Sequence, residues 1–357
     1  MSDELETALL GLEIDGFCVN ILHSNEHAIL PLDLKFRSCP LCWSEQVLNS
    51  VIPTDVVPRV RERVVSSIEV RQAAGHPNPT GNTTFINVNQ DAAPYFAAPR
   101  VLAVVERCFG PVPHTRIGGT SCVIHEPSQP SERSKLVPTA KGGLHSDWPG
   151  RLYQSPMWST DRGAPPPGFD KLLAPAGGQS IMTDIQAFFM LTDFTESNGA
   201  TMVRPGSHRH AVAPNAAPTD HPLMAPHRGE LQVVAAAGSV LLFDGRLWHK
   251  TSTNRTAGRR IFIGVKYVPW WLNLHCRRPD SVEMRIQESA MPTDSSTFGG
   301  WPFVRAAVYD RLPPHVQPLF THWVDREWGE NDQAKEDALA GLPWGRERLQ
   351  VKSNPRL

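Results

Sequence analysis

The chain has 357 residues, 40% of them hydrophobic and 20% charged, with a formal net charge of −1. That length allows one large core or two ordinary domains, and the composition is that of a globular protein. Without a basic block there is no electrostatic footprint for nucleic acid or anionic lipid, so the expected partner is a small molecule, with no nucleic acid and no membrane.

The opening residues Met1-Ser2-Asp3-Glu4-Leu5-Glu6 are acidic where a secretory leader needs positive charge, and no apolar run of about 18 residues occurs. A cytoplasmic protein is expected. Residues 4 to 12 read as a short amphipathic helix with Leu5, Leu9, Leu10 and Leu12 on one side, and Asp15-Gly16 leads into a strand through Phe17 and Cys18. Cys18, Cys39, Cys42, Cys108, Cys122 and Cys276 are too scattered for a disulfide scaffold. Cys39-Pro-Leu-Cys42 has no second pair to complete a zinc site. Residues 44 to 74 read as mostly helical, interrupted by Pro53 and Pro58, and a further helix over about 95 to 108 meets stop signals at Gly110-Pro111.

From Arg116 the apolar period shortens. Strand-like runs follow at 121–125, 180–191, 200–204, 232–234, 239–243 and 260–268, separated by turn residues such as Asn198-Gly199 and Pro205-Gly206-Ser207. Short strands without long intervening helices point to an antiparallel sandwich or jelly roll, with the N-terminal helices covering one face. The expected organisation is a single domain over 1–357: a mainly helical layer over 1–110, a jelly-roll core over 111–270, and a helical extension over 271–357. Residues 149–178, rich in proline and glycine, interrupt the core as a lid candidate, and 212–229 form a second irregular loop.

His145 and Asp147 flank one residue. In an extended segment both project from one face about 7 Å apart, a spacing that can hold a metal but also arises in solvated loops. A third ligand is available at His249, at the end of the run Gly238-Ser239-Val240 to Trp248, and Arg259-Arg260-Ile261 begins the next strand. If 254–257 close a hairpin, Thr251 lies opposite Arg260 and His249 opposite Phe262, all on one face, with Ile261, Ile263 and Val265 forming an apolar row on the other. The guanidinium would then sit about 7 Å along the strand from the imidazole, one dicarboxylate length. Arg259 should point the opposite way. Two His and one Asp suit Fe(II) with open positions, and equally Mn, Co or Zn.

These residues resemble the phytanoyl-CoA dioxygenase (PhyH) family of Fe(II)- and 2-oxoglutarate-dependent oxygenases. The resemblance rests on His145-Ser146-Asp147, on Asn198-Gly199-Ala200 with Pro205-Gly206-Ser207-His208-Arg209, and on His249 followed by Asn254 and Arg260, with an eleven-residue step from His249 to Arg260. Asp15-Gly16-Phe17 resembles the family's opening. It implies a double-stranded β-helix, a cupin-like jelly roll, with His145, Asp147 and His249 as iron ligands and Arg260 and Thr251 on the distal carboxylate of 2-oxoglutarate. It also implies Fe(II), 2-oxoglutarate and O2 as cofactor and co-substrates, and oxidation of an unactivated C–H, by default hydroxylation, with release of succinate and CO2. Family members that halogenate carry a small residue where this chain has Asp147, which disfavours halogenation.

On 184–191 the family places Gln186, Phe188 and Met190 toward the pocket, where Gln186 touches 2-oxoglutarate or substrate, or is a buried structural amide. Trp148, Phe188 and Trp248 are candidates for the substrate wall, with core packing as the plain alternative. His208 reads as structural, and His125, His210, His221 and His227 as surface or loop residues. The substrate is expected to be a small organic molecule of specialised metabolism, a free molecule before a coenzyme-A thioester. The alternatives are desaturation, epoxidation or ring formation by the same machinery, or a non-catalytic jelly roll that binds a metal or small ligand.

Overall fold

The computed structural model describes residues 17–18, 48–74, 85–128, 144–147, 182–209, 230–272 and 304–325. The helix expected over 4–12, the Cys39/Cys42 pair, Trp148, the 149–178 insertion, the 212–229 loop and most of the 271–357 extension lie outside them.

Two antiparallel sheets face each other. One has the order β1-β6-β3-β8-β2, formed by β1 (Phe17–Cys18), β2 (Thr115–His125), β3 (Ile185–Met190), β6 (Val240–Asp244) and β8 (Arg260–Pro269). The other has the order β5-β4-β7, formed by β4 (Met202–Val203), β5 (Leu231–Gln232) and β7 (His249–Lys250), and a bridge between His145 and His249 extends it. From β3 onward the chain passes repeatedly from one sheet to the other, the jelly-roll pattern of a double-stranded β-helix.

Alternation along the central strands separates two cores. On β8, Ile261, Ile263, Val265 and Tyr267 point outward with Ile185, Ala187 and Phe189 of β3. They pack on helix α1 (Val57–Ala73), which buries Val57, Val60, Val64 and Ile68 at helical spacing, and on α3 (Pro99–Phe109), which buries Val101, Val104 and Val105. Each such side chain taken fully from water contributes roughly 1.5–3 kcal/mol. The Tyr267 hydroxyl donates to Phe96 O at 2.6 Å, tying the sheet to the short helix α2 (Ala93–Phe96). Val304, Val308 and Phe320 from 304–325 join the same layer. The second core, with Met190, Phe194, Val203, Leu241, Phe243 and Phe262, fills the space between the sheets. Among the described residues no helix is long and apolar enough to cross a membrane.

Pro58 does not interrupt its helix; it stands in the first turn of α1, where proline is tolerated, and Leu48 before it bridges to Val240. The single helix expected over 95–108 is two, because Pro99 starts α3 afresh; it ends at Gly110, whose φ is +92°.

The hairpin expected between 249 and 265 does not form. β7 pairs with β4, with Val203 opposite His249, whereas β8 pairs with β2 and β3, with His125 opposite Arg260 and Met190 opposite Phe262. Residues 251–259 therefore cross between sheets. Asn254 fixes the crossing: its Nδ2 donates to His125 O at 3.1 Å and Gly258 O at 2.8 Å, while its Oδ1 accepts from Thr256 N at 3.0 Å. Pairing by proximity in sequence failed because this turn is bonded to β2 and leaves β7 free to pair with β4.

Candidate metal centre

His145 and His249 are a hydrogen-bonded antiparallel pair. His145 N donates to His249 O at 3.0 Å and His249 N to His145 O at 2.8 Å. Such a pair puts both side chains on one face, and the ring centroids are 4.3 Å apart. Asp147, two residues on from His145, brings its Oδ2 to 4.0 Å from His249 Nε2. One ligand atom from each of the three side chains lies within 4.8 Å of the others. Two atoms on one ion at about 2.1 Å each are at most about 4.2 Å apart, so a small contraction suffices. His249 Nδ1 donates to Leu247 O at 2.9 Å, so Nε2 is the ring nitrogen that faces Asp147 in the cluster.

The chain around His249 is held from both sides. Trp248 N donates to Ser207 Oγ at 2.8 Å and Arg204 N to Trp248 O at 2.8 Å, so the Arg204-Pro205-Gly206-Ser207 turn grips the residue before the imidazole. Behind it, Glu230 accepts from Arg204 Nη2 and Lys250 Nζ, each at 2.8 Å. Burial pushes the Glu230 carboxyl up, but the hydrogen bonds from Lys250 and Arg204 outweigh it and hold the group below its ordinary range.

Arg260 is wholly buried, and its Nε, Nη1 and Nη2 have no hydrogen-bond partner among the described residues. Its guanidinium carbon lies 4.4 Å from the Phe194 ring centroid and 5.4 Å from that of Phe262. Ring contacts then run from Phe262 to Phe188 at 4.3 Å, to Phe243 at 4.9 Å and to His249 at 4.9 Å, so the guanidinium and the imidazole share one interior. Burial lowers the Arg260 pKa to about 10, which leaves it charged at neutral pH. Arg259 is exposed and pairs with Glu69 and Glu126 at 3.1 Å each. An aromatic face returns roughly 0.5–2 kcal/mol to a cation, less than a buried charge costs without a counterion. Arg260 is thus a buried cation flanked by two aromatic rings, with no counterion among the described residues.

Gln186 is buried on the inner face of β3, and its Nε2 donates to Asp184 Oδ2 at 2.7 Å. Lys266 Nζ is 3.4 Å from the same oxygen. Burial pushes the Asp184 carboxyl up and Lys266 pulls it back, while Asp147 and Asp244 push it up. Thr251 is half-buried two residues beyond His249, Phe188 lies on the inner face, and Trp248 is fully buried. His125 is not a surface residue: it is buried, with Nε2 donating to Ser252 O at 2.8 Å, because the crossing segment folds over it. Asp184 and Lys266 were not singled out from the sequence. Their signal was parity: Asp184 falls on the face of Gln186, Phe188 and Met190, and Lys266 on that of Arg260 and Phe262.

The family model of phytanoyl-CoA dioxygenase (PhyH) matches residues 138–262, which bears out the resemblance over that stretch. An uncharacterized protein of Mycobacterium tuberculosis, Rv1501, is 34% identical over 86 residues, 24% of this chain and 29% of that protein. Dioxygenase trt7 of Aspergillus terreus is 37% identical over 79 residues, 22% of this chain and 25% of its own length. The chain thus spans less than a third of these relatives' length. Among solved structures, EctD from S. alaskensis with bound Fe aligns with a TM-score of 0.48 at 17% identity, over 75% of this chain and 77% of that one.

Proposed function

We propose that this chain, whose residues 138–262 carry the phytanoyl-CoA dioxygenase (PhyH) pattern, is a non-haem Fe(II)- and 2-oxoglutarate-dependent dioxygenase that hydroxylates an unactivated C–H of a small organic molecule of specialised metabolism. The observation that carries the reading is Arg260: a buried guanidinium with no partner among the described residues, in the same interior as a His-Asp-His cluster. A jelly roll that only bound a metal would have no use for the carboxylate anchor.

The residues fit the groups. His145, Asp147 and His249 offer two imidazoles and one carboxylate, a donor set suited to iron, and Arg260 offers a planar fork to one end of a dicarboxylate. When bound, iron with 2-oxoglutarate and O2 supplies the oxidising chemistry, releasing succinate and CO2. Thr251, close to His249 in the chain, is assigned a hydroxyl contact to the same carboxylate. The Leu247 carbonyl fixes the His249 tautomer, and Phe188, Phe243 and Phe262 keep water from the interior.

The test is anaerobic titration of the purified chain with Fe(II) and 2-oxoglutarate. A weak visible charge-transfer band is expected in wild type and lost in Asp147→Ala and His249→Ala. Arg260→Gln should raise the 2-oxoglutarate concentration required roughly 10- to 100-fold, the worth of a charge-assisted contact, and Arg259→Gln should leave it unchanged. Folded wild-type protein without the band would overturn the assignment.

A further inference from the structure

We propose that Asp184, Gln186 and Lys266 form a polar subsite beside the His145–Asp147–His249 cluster, which takes a neutral group that both donates and accepts hydrogen bonds, an alcohol or a carboxamide of the molecule to be oxidised. The proposal rests on the oxygenase reading and names the chemistry of its second substrate.

Register places the three residues. Gln186 lies opposite Lys266 on one side and Phe243 on the other, and the Phe243 ring is 4.9 Å from that of His249. The subsite is therefore one cross-strand step from Phe243, whose ring touches that of His249 in the cluster. It also lies away from Arg260: Arg260 and Lys266 are six residues apart on β8, about 20 Å at the rise of a strand, beyond the reach of a five-carbon acid anchored at Arg260. The co-substrate and this subsite occupy opposite ends of the inner face.

Asp184 is built into its place. Its Oδ2 takes Gln186 Nε2 and Lys266 Nζ, but Oδ1, in a residue only 2% exposed, has no hydrogen-bond partner among the described residues. The carboxylate lies against the α-carbon of Gly245, where a Cβ would stand 2.2 Å from Oδ1, so only glycine leaves room for it. A buried carboxylate oxygen without a donor is costly, and a donor from a ligand relieves it.

Charge decides what kind of ligand. Asp184 is paired with Lys266, and the neighbouring Asp244 with Arg246, so an ionic group entering here would bring a buried charge with no counterion of its own. A hydroxyl or a primary amide instead donates to Asp184 Oδ1 and accepts from Lys266, whose ammonium has donors left beyond the one facing Oδ2. A purely structural ion pair would show no such selectivity.

The experiment uses four probes that share one ring: cyclohexanol, cyclohexanecarboxamide, cyclohexylammonium and cyclohexanecarboxylate. Their binding to the full chain loaded with diamagnetic Zn(II) and 2-oxoglutarate is read by saturation-transfer NMR. Cyclohexanol or the carboxamide should bind, and the two ions about tenfold more weakly or worse, as expected for one charge-assisted hydrogen bond. Asp184→Ala and Lys266→Gln should each weaken the neutral probe by a similar factor. If Asp184→Ala does not fold, the loss in Lys266→Gln carries the test. Equal binding of all four probes, no binding to wild type at millimolar concentration, or undiminished binding in the variants overturns the subsite. Failure of the oxygenase reading is seen separately, as a missing Fe(II)/2-oxoglutarate band in wild type.

Discussion

Arg260 is a single side chain whose burial should cost stability, a cost the proposed function would account for. Its guanidinium has two aromatic faces and no counterion among the described residues. Arg260→Met keeps much of the packing and removes the charge, so the unliganded protein should gain about 1 kcal/mol in urea unfolding while losing 2-oxoglutarate binding. A loss of stability instead would mean that the cation is compensated. Gly245 makes the opposite case. Its φ is ordinary, yet Gly245→Ala would drive a methyl group into the Asp184 carboxylate and should cost about 1–3 kcal/mol, measured the same way. At this scale much was legible. His145, Asp147, His249 and Arg260 were picked out by residue type and spacing, and Arg259 was set aside by parity. Asp184 and Lys266 escaped notice because a charged residue on a strand reads as solvent-facing until the partner strand is known.

The elements around the metal cluster are held by polar locks as much as by apolar packing. Arg204 after β4, Glu230 before β5 and Lys250 on β7 form a buried ion cluster behind His249. Glu230→Gln removes the negative charge that buried Arg204 and part-buried Lys250 share and should cost about 3 kcal/mol at neutral pH. The Glu230 carboxyl is held below its ordinary range in the folded state. Its contribution is therefore complete above the unfolded value of about 4.3 and is lost as the pH falls through the lower folded value. The gap between wild type and variant in urea unfolding should narrow in acid; a gap that stays constant would assign the cost to packing. The crossing segment depends on Asn254 in the same way. Asn254→Ala strips hydrogen bonds from His125 O and Gly258 O and should cost about 2 kcal/mol. Gly199 packs against the same segment with φ +79°, and a Cβ there would lie 2.4 Å from Ser252 O.

For the whole molecule, the two inner faces meet where the chain brings distant segments together, and ligands should tighten that meeting. Fe(II) with 2-oxoglutarate at about a hundred times its dissociation constant should add about 2.7 kcal/mol of stability and raise the melting temperature by several degrees. In Arg260→Gln the increment due to 2-oxoglutarate at the same concentration should fall to about 0.4–1.4 kcal/mol while that due to the metal remains. Alternation along each strand, helical spacing in α1 and the pair His145 and Asp147 are local properties, so the sequence by itself determined the class of fold, the two faces of β8 and the residues able to bind a metal. Which strand pairs with which is not local. It is decided by hydrogen bonds across long loops, such as Asn254 to His125, and by the burial of β8 between β2 and β3. Only the tertiary structure could therefore move β7 and β8 into opposite sheets, leave Arg260 without a counterion among the described residues, and bring Asp184 and Lys266 together at an inward position.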